Sequence, residues 1–204
     1  MADLDSARVR ANLEGVRERI GNSVEICAAI KYVDLDDLPA LAEAGITLVG
    51  ENRAQDLIAK QEAHGGLFGW DFIGALQSRK VKDIAPRVRL IHSVASDSAI
   101  RRLADHPARE VLLQVNVAGE ETKSGIAPAE IGAHIERCPV PVSGLMTMPP
   151  FADRPEDSRP HFARLAELAA EHGLERLSMG TTQDYEVAVE EGATIVRLGS
   201  VLYG

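Results

Sequence analysis

The chain has 204 residues, 45% hydrophobic and 26% charged, enough apolar material to bury a real core in one large domain or two small ones. A net charge of −9 argues against a nucleic-acid or anionic-membrane partner for the surface as a whole, while leaving room for a local basic pocket. No apolar run approaches the ~20 residues of a membrane-spanning helix, the N-terminal Met1-Ala2-Asp3-Leu4-Asp5 lacks an apolar signal core, and Cys27 and Cys138 have neither CxxC nor Cys/His metal spacing, so reduced thiols and a cytoplasmic location are expected.

Residues 3–20 carry Leu4, Ala7, Ala11, Leu13 and Ile20 near a helical period, with Gly21-Asn22 as the stop. The run 24–33 is short, apolar and β-branched, which predicts a strand buried on both faces and ending near Lys31. Asp34, Asp36 or Asp37 caps the next helix, Pro39 suits its first turn, and Ala44-Gly45 closes it. Strands are then expected at 46–49, 70–74, 89–94, 110–117, 140–146, 175–179 and 193–198. The intervening helices are expected after the turn 50–53 to about His64, then at 78–84, 96–105, from Pro128 to before Pro139, at 155–172 and at 184–191.

Eight strands in strict alternation with helices require a parallel sheet with crossover helices. That number favours a closed (β/α)8 TIM barrel of the α/β class over an open doubly wound sheet. One domain, 1–204, is expected. The sequence ends six residues after the last expected strand, so no outer helix is expected there, and the extra N-terminal helix is assigned to that gap.

In such a barrel the C-terminal strand ends and the following loops build the site. Lys31 at the end of strand one is either a snorkelling lysine or an amine that forms a Schiff base with a carbonyl compound. The loops after strands seven and eight bring Ser178, Gly180, Thr181, Thr182, Gly199 and Ser200, whose backbone amides and hydroxyls suit a phosphate. Arg197, a fixed charge in an apolar strand, needs a partner: a salt bridge, a surface exit, or a ligand. Together these describe a pocket for pyridoxal 5′-phosphate, with the aldehyde at Lys31, the phosphate at Ser178, Gly199 and Ser200, and Arg197 facing the pyridine nitrogen. Burial at the strand end is expected to help free the Lys31 amine.

Several stretches then resemble, in order, the pyridoxal phosphate homeostasis protein family, also described as proline-synthetase co-transcribed proteins. They are Ala28-Ala29-Ile30-Lys31, Val49-Gly50-Glu51-Asn52-Arg53-Ala54-Gln55, Trp70-Asp71-Phe72-Ile73-Gly74-Ala75-Leu76-Gln77-Ser78, Lys123-Ser124-Gly125, Ser143-Gly144-Leu145-Met146, Leu177-Ser178-Met179-Gly180 and Val196-Arg197-Leu198-Gly199-Ser200. The resemblance implies a single barrel, shared with alanine racemase-like enzymes, that binds pyridoxal phosphate through Lys31. It implies Asn52 beside the ring, Arg197 at the pyridine nitrogen, and Ser178, Gly199 and Ser200 at the phosphate. It also implies buffering or delivery of the cofactor rather than turnover, with pyridoxal phosphate-dependent apo-enzymes as clients. The sequence departs from the family pattern at Tyr32, Ala75, Arg79 and Thr181-Thr182-Gln183-Asp184; Thr182 keeps a hydroxyl for the phosphate.

The six histidines, His92 among them, show no metal-ligand spacing, and no metal is expected. Glu120-Glu121 reads as a solvated turn, Lys123-Ser124-Gly125 lacks the upstream glycine of a P-loop, and Trp70 and Phe72 read as barrel packing. The alternative function is a pyridoxal phosphate-dependent racemase or decarboxylase, which needs a second acid/base group across the substrate carbon. Racemase-like enzymes draw that group from a second domain and a partner subunit, for which this sequence leaves no residues. Tyr32 and Tyr185 are the internal candidates; strand alternation is expected to turn Tyr32 away from Lys31, and Tyr185 is expected near the phosphate end. A monomeric holder of the cofactor, not an enzyme, is the expectation.

Overall fold

Short β-branched runs cannot stand alone in water, and here they close on one another. The computed structural model describes residues 4–120 and 124–204. Its strands are β1 (Glu25–Ala29), β2 (Leu48–Glu51), β3 (Gly69–Phe72), β4 (Leu90–Val94), β5 (Val111–Gln114), β6 (Val142–Met146), β7 (Arg176–Ser178) and β8 (Ile195–Leu198). Each pairs in parallel with the next, and β8 pairs with β1 to close the barrel.

The crossovers carry α2 (Leu38–Glu43), α3 (Ala54–His64), α4 (Val81–Ile84), α5 (Asp97–Asp105), α6 (Ile131–Arg137), α7 (Arg159–Glu171) and α8 (Tyr185–Glu190), after α1 (Ser6–Ile20) at the N-terminal side. Local chemistry sets their ends: the Asp5 carboxylate accepts from the Ala7 amide (3.0 Å), the Ser96 hydroxyl from the Ala99 amide (3.2 Å), and Gly21 takes φ +75° after α1. Proline at 86 stops α4 after one turn plus a short 3-10 extension. A one-turn helix, α9 (Ser200–Tyr203), does follow β8, where none was expected; it packs on α1, which also touches α2 and α8 and so covers the gap between β8 and β1.

Alternation along the strands sorts the core into two layers. Ile26, Ala28, Val49, Trp70, Phe72, Val111, Leu113, Val196 and Leu198 join the helices in the outer core, whereas Cys27, Leu48, Leu90, Leu112, Met146 and Ile195 fill the barrel. Trp70 and Phe72 are packing residues, as expected, and Trp70 Nε1 donates to the Gly65 carbonyl (3.2 Å). Both cysteines are free thiols, Cys27 buried and Cys138 half-buried.

Strand ends differ from the sequence reading, and the site depends on them. Pairing of β1 with β2 stops at Ala29↔Gly50, so Lys31 and Tyr32 lie in a turn, not in the strand. Gly50 and Glu51, expected in a turn, are the last residues of β2. Gly50 fits there because a Cβ would sit 2.7 Å from the Cys27 sulfur. The registers Ala29↔Gly50 and Ala28↔Leu198 bring the residues just past β1, β2 and β8 to one level. Among the described residues no helix is long and apolar enough to cross a membrane.

Candidate functional site

A cavity of about 830 Å³ opens at the C-terminal ends of the strands, within the size range of small-molecule sites. Lys31, Asn52, Thr182, Arg197, Gly199 and Ser200 all line it. Ser178 does not: it is fully buried beneath Arg197. Glu121, Thr122 and Lys123 lie outside the described residues.

The approach to Lys31 begins with a buried ion pair. Lys60 of α3 donates to Glu51 Oε2 (2.7 Å) and to the carbonyl of Ile30 (2.6 Å), the residue before Lys31. Glu51 Oε1 accepts from the amides of Asn52 (2.6 Å) and Arg53 (3.3 Å). One pair of side chains therefore fixes both the turn that carries Lys31 and the loop that carries Asn52. Lys31 itself is exposed, with Nζ 4.5 Å from the centre of the Tyr32 ring. The expected burial of this lysine is absent because β1 ends before it. For the same reason Tyr32 is not turned away: it lines the cavity beside Lys31 and is 76% exposed.

Asn52 is held from behind. A Cβ on Gly74 would lie 1.9 Å from the Asn52 carbonyl oxygen, so only glycine permits this approach. Asn52 Oδ1 is buried with no hydrogen-bond partner among the described residues, and Tyr203 Oη is in the same condition. Both residues line the cavity. Burial also pushes the Tyr203 phenol well above its ordinary pKa, which keeps it protonated. Unpaired buried polar atoms are costly, and two in one cavity wall suit a ligand that supplies their partners.

Arg197 projects from β8 and is buried. Its Nη1 donates to the Ser178 carbonyl (2.8 Å) and to the Ser178 hydroxyl, and its Nη2 to the Thr147 carbonyl (2.9 Å) and the Met148 sulfur (2.8 Å). Among the described residues no carboxylate pairs with it, so neither a salt bridge nor a surface exit accounts for it. Burial lowers its pKa to about 10. Ser178 Oγ in turn lies 2.8 Å from His92 Nδ1, and His92 Nε2 lies 3.0 Å from Asp71 Oδ2.

At the opposite loops, the amides of Gly199 (3.3 Å) and Val201 (3.5 Å) point at the Thr182 hydroxyl oxygen. The loop is tied by Asp184, whose Oδ1 accepts from the Thr181 amide (2.8 Å) and hydroxyl (3.2 Å). Gly180 at φ +89° makes the bend, and a Cβ there would strike Ala188 at 2.6 Å. A Cβ on Gly199 would make only ordinary contact with Ala29, its carbonyl oxygen at 3.9 Å and its Cβ at 4.0 Å, so that face of the loop is not crowded. Tyr185, a candidate acid/base group from sequence, is buried away from Lys31 with its hydroxyl accepting from Arg19 of α1 (3.1 Å).

Sequence reasoning assigned no role to Asp71, His92, Lys60, Glu51 or Tyr203. For Asp71 and His92 a signal existed: each is a polar residue in an otherwise apolar strand, at a position whose neighbours face the helices. Among the described residues no His/Cys/Asp/Glu group could hold a metal, and all six histidines are among those described.

The chain matches the family model for the alanine racemase N-terminal domain over residues 4–204. It is 40% identical to the pyridoxal phosphate homeostasis protein of Aquifex aeolicus, over 97% of this chain and 95% of that one. PipY of Synechococcus elongatus, solved with PLP bound, superposes with a TM-score of 0.82 at 29% identity, over 96% of this chain and all (100%) of that one. The alanine racemase of Corynebacterium glutamicum shares the fold, with a TM-score of 0.77 at 17% identity, over 99% of this chain but only 62% of that one. The closed barrel, its cavity and this near full-length identity place the chain in the alanine racemase N-terminal-domain family, among the pyridoxal phosphate homeostasis proteins.

Proposed function

We propose that this chain binds pyridoxal 5′-phosphate covalently through Lys31 and serves intracellular cofactor homeostasis, by buffering or delivery, without turnover. The carrying observation is the wall of one cavity, which combines a free amine, a buried arginine, an amide-lined loop and two unpaired polar atoms. Those residues fit the group. When bound, the cofactor supplies an aldehyde that condenses with a primary amine and releases water. Lys31, exposed to the cavity, is that amine. Arg197 faces the pyridine nitrogen. As a permanent donor it leaves that nitrogen unprotonated, which makes the ring a poor electron sink and suits a holder. The loops of Thr182 and of Gly199-Ser200, which line the cavity, receive the phosphate, and Asn52 lies beside the ring. Ser178 acts through Arg197 rather than on the phosphate. The names of the curated relatives and the PLP-bound PipY support this reading.

Residues 1–204 act as one pyridoxal phosphate-binding domain, a cytoplasmic monomer whose clients are pyridoxal phosphate-dependent apo-enzymes. The test is borohydride reduction of the loaded protein followed by peptide mass spectrometry. A pyridoxyl group on Lys31 is expected; labelling confined to Lys80, Lys82 or Lys123 refutes the assignment. One observation favours the enzymatic alternative, a racemase or decarboxylase: Tyr32 stands beside Lys31 in the cavity wall. Incubation with L-alanine in deuterated water, followed by NMR and chiral analysis, separates the two. Multiple-turnover α-deuteration lost in both Lys31→Ala and Tyr32→Phe establishes the enzyme.

A further inference from the structure

We propose that Asp71, His92 and Ser178 form a buried positioning relay that aims the guanidinium of Arg197 at the ring of the bound cofactor. The proposal rests on the pyridoxal phosphate reading above and assigns roles to three residues that touch no ligand. Asp71, His92 and Ser178 are each 0% exposed and Arg197 is 5% exposed, so the chain of contacts runs through the buried interior of the barrel. It links β3, β4, β7 and β8 in succession.

Donor and acceptor capacity assigns the hydrogens. Arginine only donates, and an ionised carboxylate only accepts. His92 Nε2 therefore carries the proton toward Asp71 Oδ2 (3.0 Å), which leaves Nδ1 as an acceptor. Ser178 donates its hydroxyl proton to that Nδ1 (2.8 Å), and its oxygen lone pair is left for Arg197 Nη1. Every member is satisfied in one direction only. Burial, which lowers the His92 pKa, agrees with the neutral ring this pattern needs.

Arg197 has five N–H donors. The two on Nη1 meet the Ser178 carbonyl and hydroxyl, and the two on Nη2 meet the Thr147 carbonyl and the Met148 sulfur. The fifth, on Nε, makes no hydrogen bond among the described residues, and Arg197 lines the cavity. A carboxylate in direct contact would compete for this edge. Here the anion is Asp71, two side chains away, itself clamped by Arg89 Nε (3.1 Å) and Nη2 (2.9 Å). The guanidinium is thus fixed from behind with one donor spare for the ligand.

The experiment measures pyridoxal phosphate affinity by absorbance titration and the pyridine-nitrogen resonance of ¹⁵N-labelled cofactor bound to the full chain. Ser178→Ala and His92→Leu are expected to weaken binding about tenfold and to shift the ring-nitrogen resonance, in line with loss of a hydrogen bond to a charged group. His92→Gln keeps an N–H toward Asp71 and an acceptor toward Ser178, and should stay within about twofold of the parent. Where His92→Leu does not fold, Ser178→Ala, the loss of one buried oxygen, carries the test. Unchanged affinity and resonance in Ser178→Ala, with Arg197→Ala altering both, overturns the relay and leaves the cofactor reading intact. An unaltered Arg197→Ala overturns the relay as well. Failure of the parent protein to bind pyridoxal phosphate at all overturns the underlying reading itself.

Discussion

Replacing Lys60 by methionine tests the clamp under Lys31 and Asn52. Glu51 is 0% exposed and Lys60 7% exposed, so the pair is nearly dry. Methionine fills most of the lysine's volume, which isolates the electrostatic effect. The Glu51 carboxylate would keep its two amide donors from Asn52 and Arg53 but lose its charged partner Lys60, and the Ile30 carbonyl would lose its side-chain donor. Stranding one member of a buried pair costs about 3–5 kcal/mol. At ~2–4 °C per kcal/mol for a domain of this size, Tm should fall by roughly 6–20 °C. Adding Glu51→Gln removes the stranded charge, so Lys60→Met/Glu51→Gln should recover part of the loss. Urea and thermal unfolding of the parent, both single variants and the double variant give the coupling. A Lys60→Met protein within about 1 kcal/mol of the parent, or strict additivity in the cycle, refutes the clamp as a buried charge pair.

Further expectations follow from individual groups. His92 has a lowered pKa, so the unfolded chain takes up a proton below about 6.5 that the native state resists, and stability falls with acid in that window by up to ~1.4 kcal/mol per pH unit. Urea midpoints from pH 7.5 to 5 should flatten in His92→Gln, and an unchanged slope refutes the assignment. Burial opposes ionisation of Asp71, but hydrogen bonds from His92 and Arg89 outweigh it and lower its pKa, so its contribution is full above about 3.8 and is lost as pH falls below. The Asp71→Asn variant should show a weaker decline there, read by circular dichroism. Gly74→Ala would force a Cβ to 1.9 Å from backbone and should abolish soluble expression or displace Asn52, with loss of cofactor binding. Tyr203→Phe removes a hydroxyl with no partner among the described residues, so Tm should hold or rise slightly while cofactor affinity falls several-fold, measured side by side.

The strands and their order were legible because each is a short apolar run between turn residues, and eight such runs have one economical closure. The rim residues followed, since barrel geometry sends strand ends to one face. Lys31, Asn52 and Arg197 could be named without knowing any register. The relay could not. Its members sit at 71, 92, 178 and 197; strand pairing sets β3 beside β4 and β7 beside β8, and closure of the barrel lets His92 of β4 reach Ser178 of β7 across the interior. Tyr32 was misread for a smaller reason: alternation was carried past Ala29, where pairing stops and the chain turns. Ser178 was placed at the phosphate because its loop is rich in small residues. Its side chain points to the barrel interior, where Arg197 and His92 already use both its donor and its acceptor.

Two separate devices thus position the two polar ends of the cavity. The Lys60–Glu51 pair works at β1 and β2 and governs the turn of Lys31 and the loop of Asn52. The Asp71–His92–Ser178 relay works through β3, β4 and β7 and governs Arg197 on β8. Among the described residues they share no side-chain hydrogen bond, although the register Gly50↔Asp71 sets Glu51 and Asp71 on neighbouring strands. Networks that share no side-chain partner are expected to add to within about half a kcal/mol. Damage to the clamp should therefore alter covalent capture by Lys31 while leaving the ring-nitrogen resonance in place, and damage to the relay should do the reverse. A Lys60→Met/Ser178→Ala protein whose affinity loss departs from the product of the single losses by more than about threefold would show that the barrel couples the two ends, and the division drawn here would be wrong.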